Sequence, residues 1–221
     1  RGISKETAQK YQVGAGFFNF FDEQTSQSKA QLCLTFPMFR PRNMPSSSSS
    51  SAEKIPKSKK KTGPAQEYTY DIVRHKIRSI HDKRFMKLDP IGGQWGLFGF
   101  NTVPNDATEI IITEGEFDAM AVHQKTGKPA VSLPNGCRSL PVDLLPMLER
   151  FDKVYLWMDD DAPGQQGAEQ FAQKLGIGRT LLVHSSLEEN YSQPLDKNKK
   201  PPKDANDALL AGIDLNDLLL K

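Results

Sequence analysis

The spacing of apolar residues changes character near residue 108. Beyond it, short apolar runs alternate with amphipathic stretches. EIIIT (109–113) is unbroken and β-branched, which predicts a buried strand. Residues 116–126 predict a helix, PAVSLP (129–134) a second strand, and LPVDLLPMLERF (140–151) a helix with apolar spacing. KVYLWMD (153–159) predicts a third strand and TLLVH (180–184) a fourth. Between them PGQQGAEQFAQKLG (163–176) predicts a helix, with Pro163 near its first turn and Gly176 as its stop. Strands alternating with helices predict an α/β parallel sheet with helices on both faces.

Before residue 108 the rhythm is different. AQLCLTFPMF (30–39) alternates and is rich in aromatics, so it predicts a strand, and YTYDIVRHKIRSI (68–80) also reads as extended. Tyr70, Ile72, Ile77 and Ile80 are the expected partial core positions of that second stretch. Residues 1–107 therefore form a smaller, basic, sheet-containing α+β lobe, and 108–221 the α/β unit. Residues 46–66, a serine tract followed by a lysine cluster and Gly-Pro, have too little apolar surface to offset chain entropy. They predict a disordered insert.

Composition adds an asymmetry. The net charge is only +2, yet residues 1–107 carry 17 Lys and Arg against 9 Asp and Glu, and residues 108–221 carry 12 against 18. A basic half beside an acidic half points to a polyanion on one side and a cation on the other. Cys33 and Cys137 are far apart and make no zinc-type pair. No apolar run is long enough to span a membrane. The chain begins at Arg1, as a piece of a longer protein would.

The acidic residues fall at strand ends. TEGEFDA (113–119) puts Glu114 at the end of a predicted strand and Asp118 one helical turn on. One such turn alone would read as a helix N-terminus favouring negative charge. WMDDDAPG puts Asp159, Asp160 and Asp161 directly after another strand. On extended backbone Asp159 and Asp161 share a direction and Asp160 faces away. In parallel α/β sheets, function gathers at the carboxyl ends of the strands. Oxygen ligands without nearby His or Cys suit Mg²⁺ or Mn²⁺. The expected metal set is Glu114, Asp159 and Asp161.

TEGEFDA followed by DDDAPG resembles the Toprim motif of primases, topoisomerases and related nucleases. The resemblance implies a catalytic set of Glu114, Asp159 and Asp161, with a general acid/base role for Glu114 and a metal-holding role for Asp159 and Asp161, and it makes Asp118, at the acidic position after the glutamate, a further ligand. RGISKET (1–7) and PPKDANDALL (201–210) resemble elements of phage primase-helicases, and GGQWGLFGFNTVP (92–104) resembles mitochondrial Twinkle-type replicative helicases. This implies the primase-like region of such a helicase, in the mitochondrial matrix. A helicase domain would follow on the same chain, in a hexameric or heptameric ATP-dependent 5′–3′ motor. In vertebrate members of that family the acidic positions are largely lost; here Glu114, Asp159 and Asp161 are present.

The basic lobe supplies the partner-binding candidates. On a strand, Arg74, Lys76 and Arg78 fall on one side and could track a phosphate backbone. Together with Lys83, Arg84, Lys87 and Lys203 they are the expected contacts to single-stranded DNA or ribonucleoside triphosphates. The stretch resembles a basic stretch of phage primases implicated in nucleotide and template binding. Trp95, Phe98 and Phe100 could stack bases, with packing between the lobes the favoured role for most of them. Three functions follow. The favoured one is a module that grips single-stranded DNA in support of a helicase. The alternatives are a Mg²⁺-dependent primase making RNA primers and a Toprim nuclease, the latter opposed by the primase-like flanks.

Overall fold

A computed structural model describes residues 1–42, 69–186 and 200–220. The stretch 46–66, expected to be a disordered insert, lies outside the described residues.

The parallel half follows the predicted rhythm. Strands β6 (Glu109–Thr113), β7 (Ala130–Ser132), β8 (Lys153–Trp157) and β9 (Thr180–Leu182) lie in the order β7-β6-β8-β9, each parallel to its neighbour. Consecutive residues of these strands serve two cores. Ile110, Ile112, Val154 and Leu156 pack on one side with Phe151 and Phe171; Ile111, Tyr155 and Trp157 pack on the other with Met120 and Leu215. A strand buried on both faces has no polar alternation to show, which is why EIIIT reads as a plain apolar run. Helix α4 (Ala162–Leu175) covers the first face; α2 (Glu116–Thr126), α5 (Ala205–Leu210) and α6 (Leu215–Leu219) cover the second.

The basic half extends the same sheet. The short helix α1 (Lys5–Lys10) leads into β1 (Gly14–Asp22), β2 (Gln27–Pro41), β3 (Tyr70–Ser79) and β4 (Met86–Asp89), an antiparallel set. Strand β5 (Leu97–Phe98) pairs with β2 on one side and β7 on the other, so the sheet runs continuously in the order β4-β3-β2-β5-β7-β6-β8-β9. Tyr11 pins this junction: its buried hydroxyl donates to the carbonyl of Ala130 at 2.8 Å, and its ring packs on Phe98.

Two expectations need correction. The stretch 140–151 is not one helix. A 3₁₀ turn at Val142–Leu144 precedes a one-turn α3 (Leu145–Leu148). Pro146 lacks the N–H that a continuing helix would use and its ring clashes with the preceding turn, so the helix restarts around it. In β3, Ile77 is buried as expected, but Ile72, and Ile80 just past the strand, are exposed.

Candidate active site

Strands β6 and β8 are hydrogen-bonded neighbours whose last paired residues are Thr113 and Trp157. The residues just beyond, Glu114 and Asp159, therefore emerge side by side at the carboxyl edge. The first turn of α2 adds Asp118, and the N-cap of α5 adds Asp204. Asp118, Asp159 and Asp204 each offer a carboxylate oxygen, and the three atoms lie within 4.8 Å of one another. Backbone donors hold two of them: the Asn206 N–H donates to Asp118 at 2.9 Å, and the Asp207 N–H donates to Asp204 at 2.6 Å.

Carboxylates this close resist simultaneous ionisation. Burial first, then the charge of Asp204, holds the Asp118 carboxyl well above the usual range. Burial also raises Asp204. The protein places one cation against the cluster: the Lys203 ammonium is 2.7 Å from Asp159 and 3.9 Å from Asp204. Its hydrogen bond to Asp159 raises the lysine's own pKa.

Glu114 stands next to the cluster with one oxygen, Oε2, buried and without a hydrogen-bond partner. Its other face rests on Gly136. That glycine has φ +61°, and a Cβ there would come within 3.0 Å of the Glu114 carboxylate. Beside it burial, followed by the charge of Glu114, pushes the Cys137 thiol up to about 11, so this cysteine is a neutral, unreactive neighbour. An oxygen-only donor set with an orphaned buried carboxylate oxygen fits a hard divalent cation, Mg²⁺ or Mn²⁺.

The three consecutive aspartates diverge. Asp160 turns away as expected and is held by the Ser186 N–H at 2.7 Å, the Gln165 amide at 3.0 Å and His184 at 3.0 Å. Asp161 is exposed and caps α4, accepting from the Gly164 N–H at 2.9 Å. Its charge still reaches Lys203 and Cys137. Of the expected metal set, Asp159 and Asp118 thus meet directly, Glu114 flanks them, and Asp161 is engaged as a cap. Asp204 completes the cluster instead.

Facing the acids across a cleft of about 960 Å³ is the basic wall. Arg74, Lys76 and Arg78 do share one face, opposite Met38, Phe36 and Leu34 of β2. They are not equivalent. Arg74 is buried, its guanidinium 4.2 Å over the Trp95 ring and donating to the Gly93 carbonyl at 2.7 Å. Lys76 is buried in an ion pair with Glu116 at 2.7 Å. Arg78 and Lys83 line the cleft; Lys87 borders it too, but its ammonium lies on the opposite face of the sheet, over the rings of Phe18 and Phe20. Arg84 is clasped by Asp82 and Gln24 outside it. Phe98 and Phe100 are buried core residues, which is the packing role favoured for them.

Asp204, Arg138 and Glu116 are the residues that sequence reasoning left without a role. Arg138 lines the cleft from the loop after β7. Asp204 lies in the KDAN string, far from both strand ends in sequence, and only the docking of α5 against α2 brings it in.

Known proteins resemble this chain in sequence and fold. A family model described as Toprim-like matches residues 111–209. A primase homolog protein of Arabidopsis thaliana is 27% identical over 132 residues, covering 52% of this chain and 36% of that protein. The chain therefore spans only about a third of the length of this relative. Among solved structures, the primase fragment of the bacteriophage T7 primase-helicase superposes with a TM-score of 0.58 at 23% identity, covering 100% of this chain and 71% of that one. T7 primase domains bound to an RNA/DNA hybrid and dTTP give a TM-score of 0.60, also at 23% identity, covering 100% and 86%. The RNA polymerase domain of the Mycobacterium tuberculosis primase DnaG gives 0.59 at 16% identity, covering 100% and 72%. The fold is that of primase catalytic domains, with a Toprim-like half.

Proposed function

We propose that this chain is the primase-like region of a replicative protein and that its cleft carries out metal-dependent nucleotidyl transfer on a single-stranded DNA template. One observation carries the reading. Asp118, Asp159 and Asp204 converge from three elements onto one point, facing Arg78 and Lys83 across a single cleft. Asp118, Asp159 and Asp204 would hold a divalent ion, whose chemistry there would be charge neutralisation of a triphosphate and activation of an attacking hydroxyl. Arg78, Lys83 and Arg138 bring opposite charge to the phosphates, and Glu114, which lines the same cleft with an oxygen free of protein partners, is the proton acceptor of this reading.

The retained carboxylates favour this over a module that only holds DNA. The helicase connection and a mitochondrial setting belong to the same proposal. They rest on the resemblance of the stretches around Arg1, Trp95 and Lys203 to primase-helicases.

Mn²⁺ binding followed by electron paramagnetic resonance tests the site. Asp159→Asn should weaken binding at least tenfold, and equal binding by this variant would remove the metal from the aspartate cluster. Single-stranded DNA affinity against salt tests the wall. Arg78→Ala with Lys83→Ala should flatten the slope by about 1.4, roughly 0.7 for each phosphate of a single strand no longer neutralised; an unchanged slope would put the DNA elsewhere.

A further inference from the structure

Among the described residues, a strip of the sheet outside the cleft has no partner. Along β1, Phe17 is 75% exposed and Phe21 66% exposed. Register fixes their side of the sheet. Phe17 is opposite Leu32 and Phe21 opposite Ser28, so both share a face with Leu34 and, through the Leu34–Arg78 pair, with Arg78. Phe18 and Phe20 point to the other face, where Lys87 lies over their rings and Phe20 packs on Phe85.

The strip is continuous with the cleft. A smaller hollow of about 310 Å³, lined by Leu34, Ile80 and Phe117 with Arg78 and Lys83 on its rim, adjoins the cleft through the residues they share. From Leu34 the strand leads outward to Leu32 and then to the aromatic pair. Phe17 to Phe21 spans four residues, ~14 Å along the strand. The residues on this face of the hairpin, from Ala15 to Phe21 and from Ser28 to Leu34, include no carboxylate and no other charge. At the cleft end of the strip the charges are cationic, Arg78 and Lys83, while Asp22 and Glu23 lie at the turn beyond Phe21. Flat, uncharged rings in series behind a cationic rim match a strand that carries phosphates on one edge and π-faces on the other.

We infer that this face is the path by which the single-stranded DNA template leaves the cleft, with Phe17 and Phe21 as stacking platforms for its bases. The inference rests on the primase reading and locates the template beyond the reacting residues. Stacking is indifferent to base identity, so the track holds DNA without sequence preference.

The test uses the 221-residue chain and oligothymidylates of two lengths, one filling only the cleft and one long enough to reach the hairpin. Both rings are exposed, so Phe17→Ala and Phe21→Ala should keep the parent's circular dichroism. Each should weaken the long oligonucleotide about tenfold, leave the short one unchanged, and leave the salt slope intact, because stacking releases no counterions. In a Phe17→Trp variant, tryptophan emission should be quenched by the long oligonucleotide alone. If the parent binds the long strand and the double Ala variant binds it equally well, the track is wrong and the patch is a protein-docking face. If the parent binds no single-stranded DNA, the primase reading fails and takes this inference with it.

Discussion

The Lys203 ammonium lies 2.7 Å from the Asp159 carboxylate, so an internal cation already neutralises part of the aspartate cluster. Lysine and metal compete for the same oxygen. Lys203→Ala should therefore raise Mn²⁺ affinity. The lysine side chain is 57% exposed, so its charge is screened and the gain is modest, about three- to tenfold. Titration of the variant against the parent by electron paramagnetic resonance reads this directly. A fall in affinity would mean that the lysine orients Asp159 for the metal instead of excluding it.

The raised Asp118 carboxyl makes stability depend on pH. A group whose folded pKa lies above its unfolded value of 3.8 stabilises the fold below that value and loses this contribution as pH rises through the folded pKa. In metal-free protein this contribution of Asp118 should fade as pH climbs above 3.8 and the carboxyl ionises. Asp118→Asn keeps an oxygen for the Asn206 N–H and removes the charge. Near neutral pH its Tm should exceed the parent's by ~2–4 °C, for a gain on the order of 1 kcal/mol in a chain of this size. Below the unfolded pKa the difference should vanish. Thermal melts at several pH values in chelator check the sign, and a variant less stable at neutral pH would refute it.

Lys76 and Glu116 tie the basic strand β3 to the start of α2 through a buried ion pair, with side chains 11% and 1% exposed. Removing one partner strands a buried charge. Lys76→Met should cost about 3–5 kcal/mol in urea unfolding, and pairing it with Glu116→Leu should recover most of that loss. If the losses simply add, the two residues are not coupled.

How far the sequence reaches depends on how local each signal is. Strand β6 and helix α2 fall where the pattern puts them, because a doubly buried strand and a glycine-flanked helix are written in neighbouring residues. Asp160 is also predictable, since alternation on extended backbone sends it away from Asp159. Asp161 is not: its turn curls so that the carboxylate caps α4, and a cap reads in sequence like a ligand. Arg74 fails for a related reason. Period two puts it on the right face, but only the packing of Trp95 over its guanidinium shows that this part of the face is covered. Asp204 needs the long-range docking of α5 on α2, for which a single sequence carries no periodic signal.

Incorporation of labelled ribonucleotides on a single-stranded DNA template, with Mg²⁺ or Mn²⁺ present, tests the central claim most directly. The parent chain should make template-dependent products that disappear with chelator. Asp159→Asn and Glu114→Gln should lower the rate by at least a hundredfold while single-stranded DNA affinity holds, since both residues act on the reacting atoms and not on template binding. A parent chain that binds both Mn²⁺ and template yet incorporates no label, or that shortens the template instead, would contradict the account.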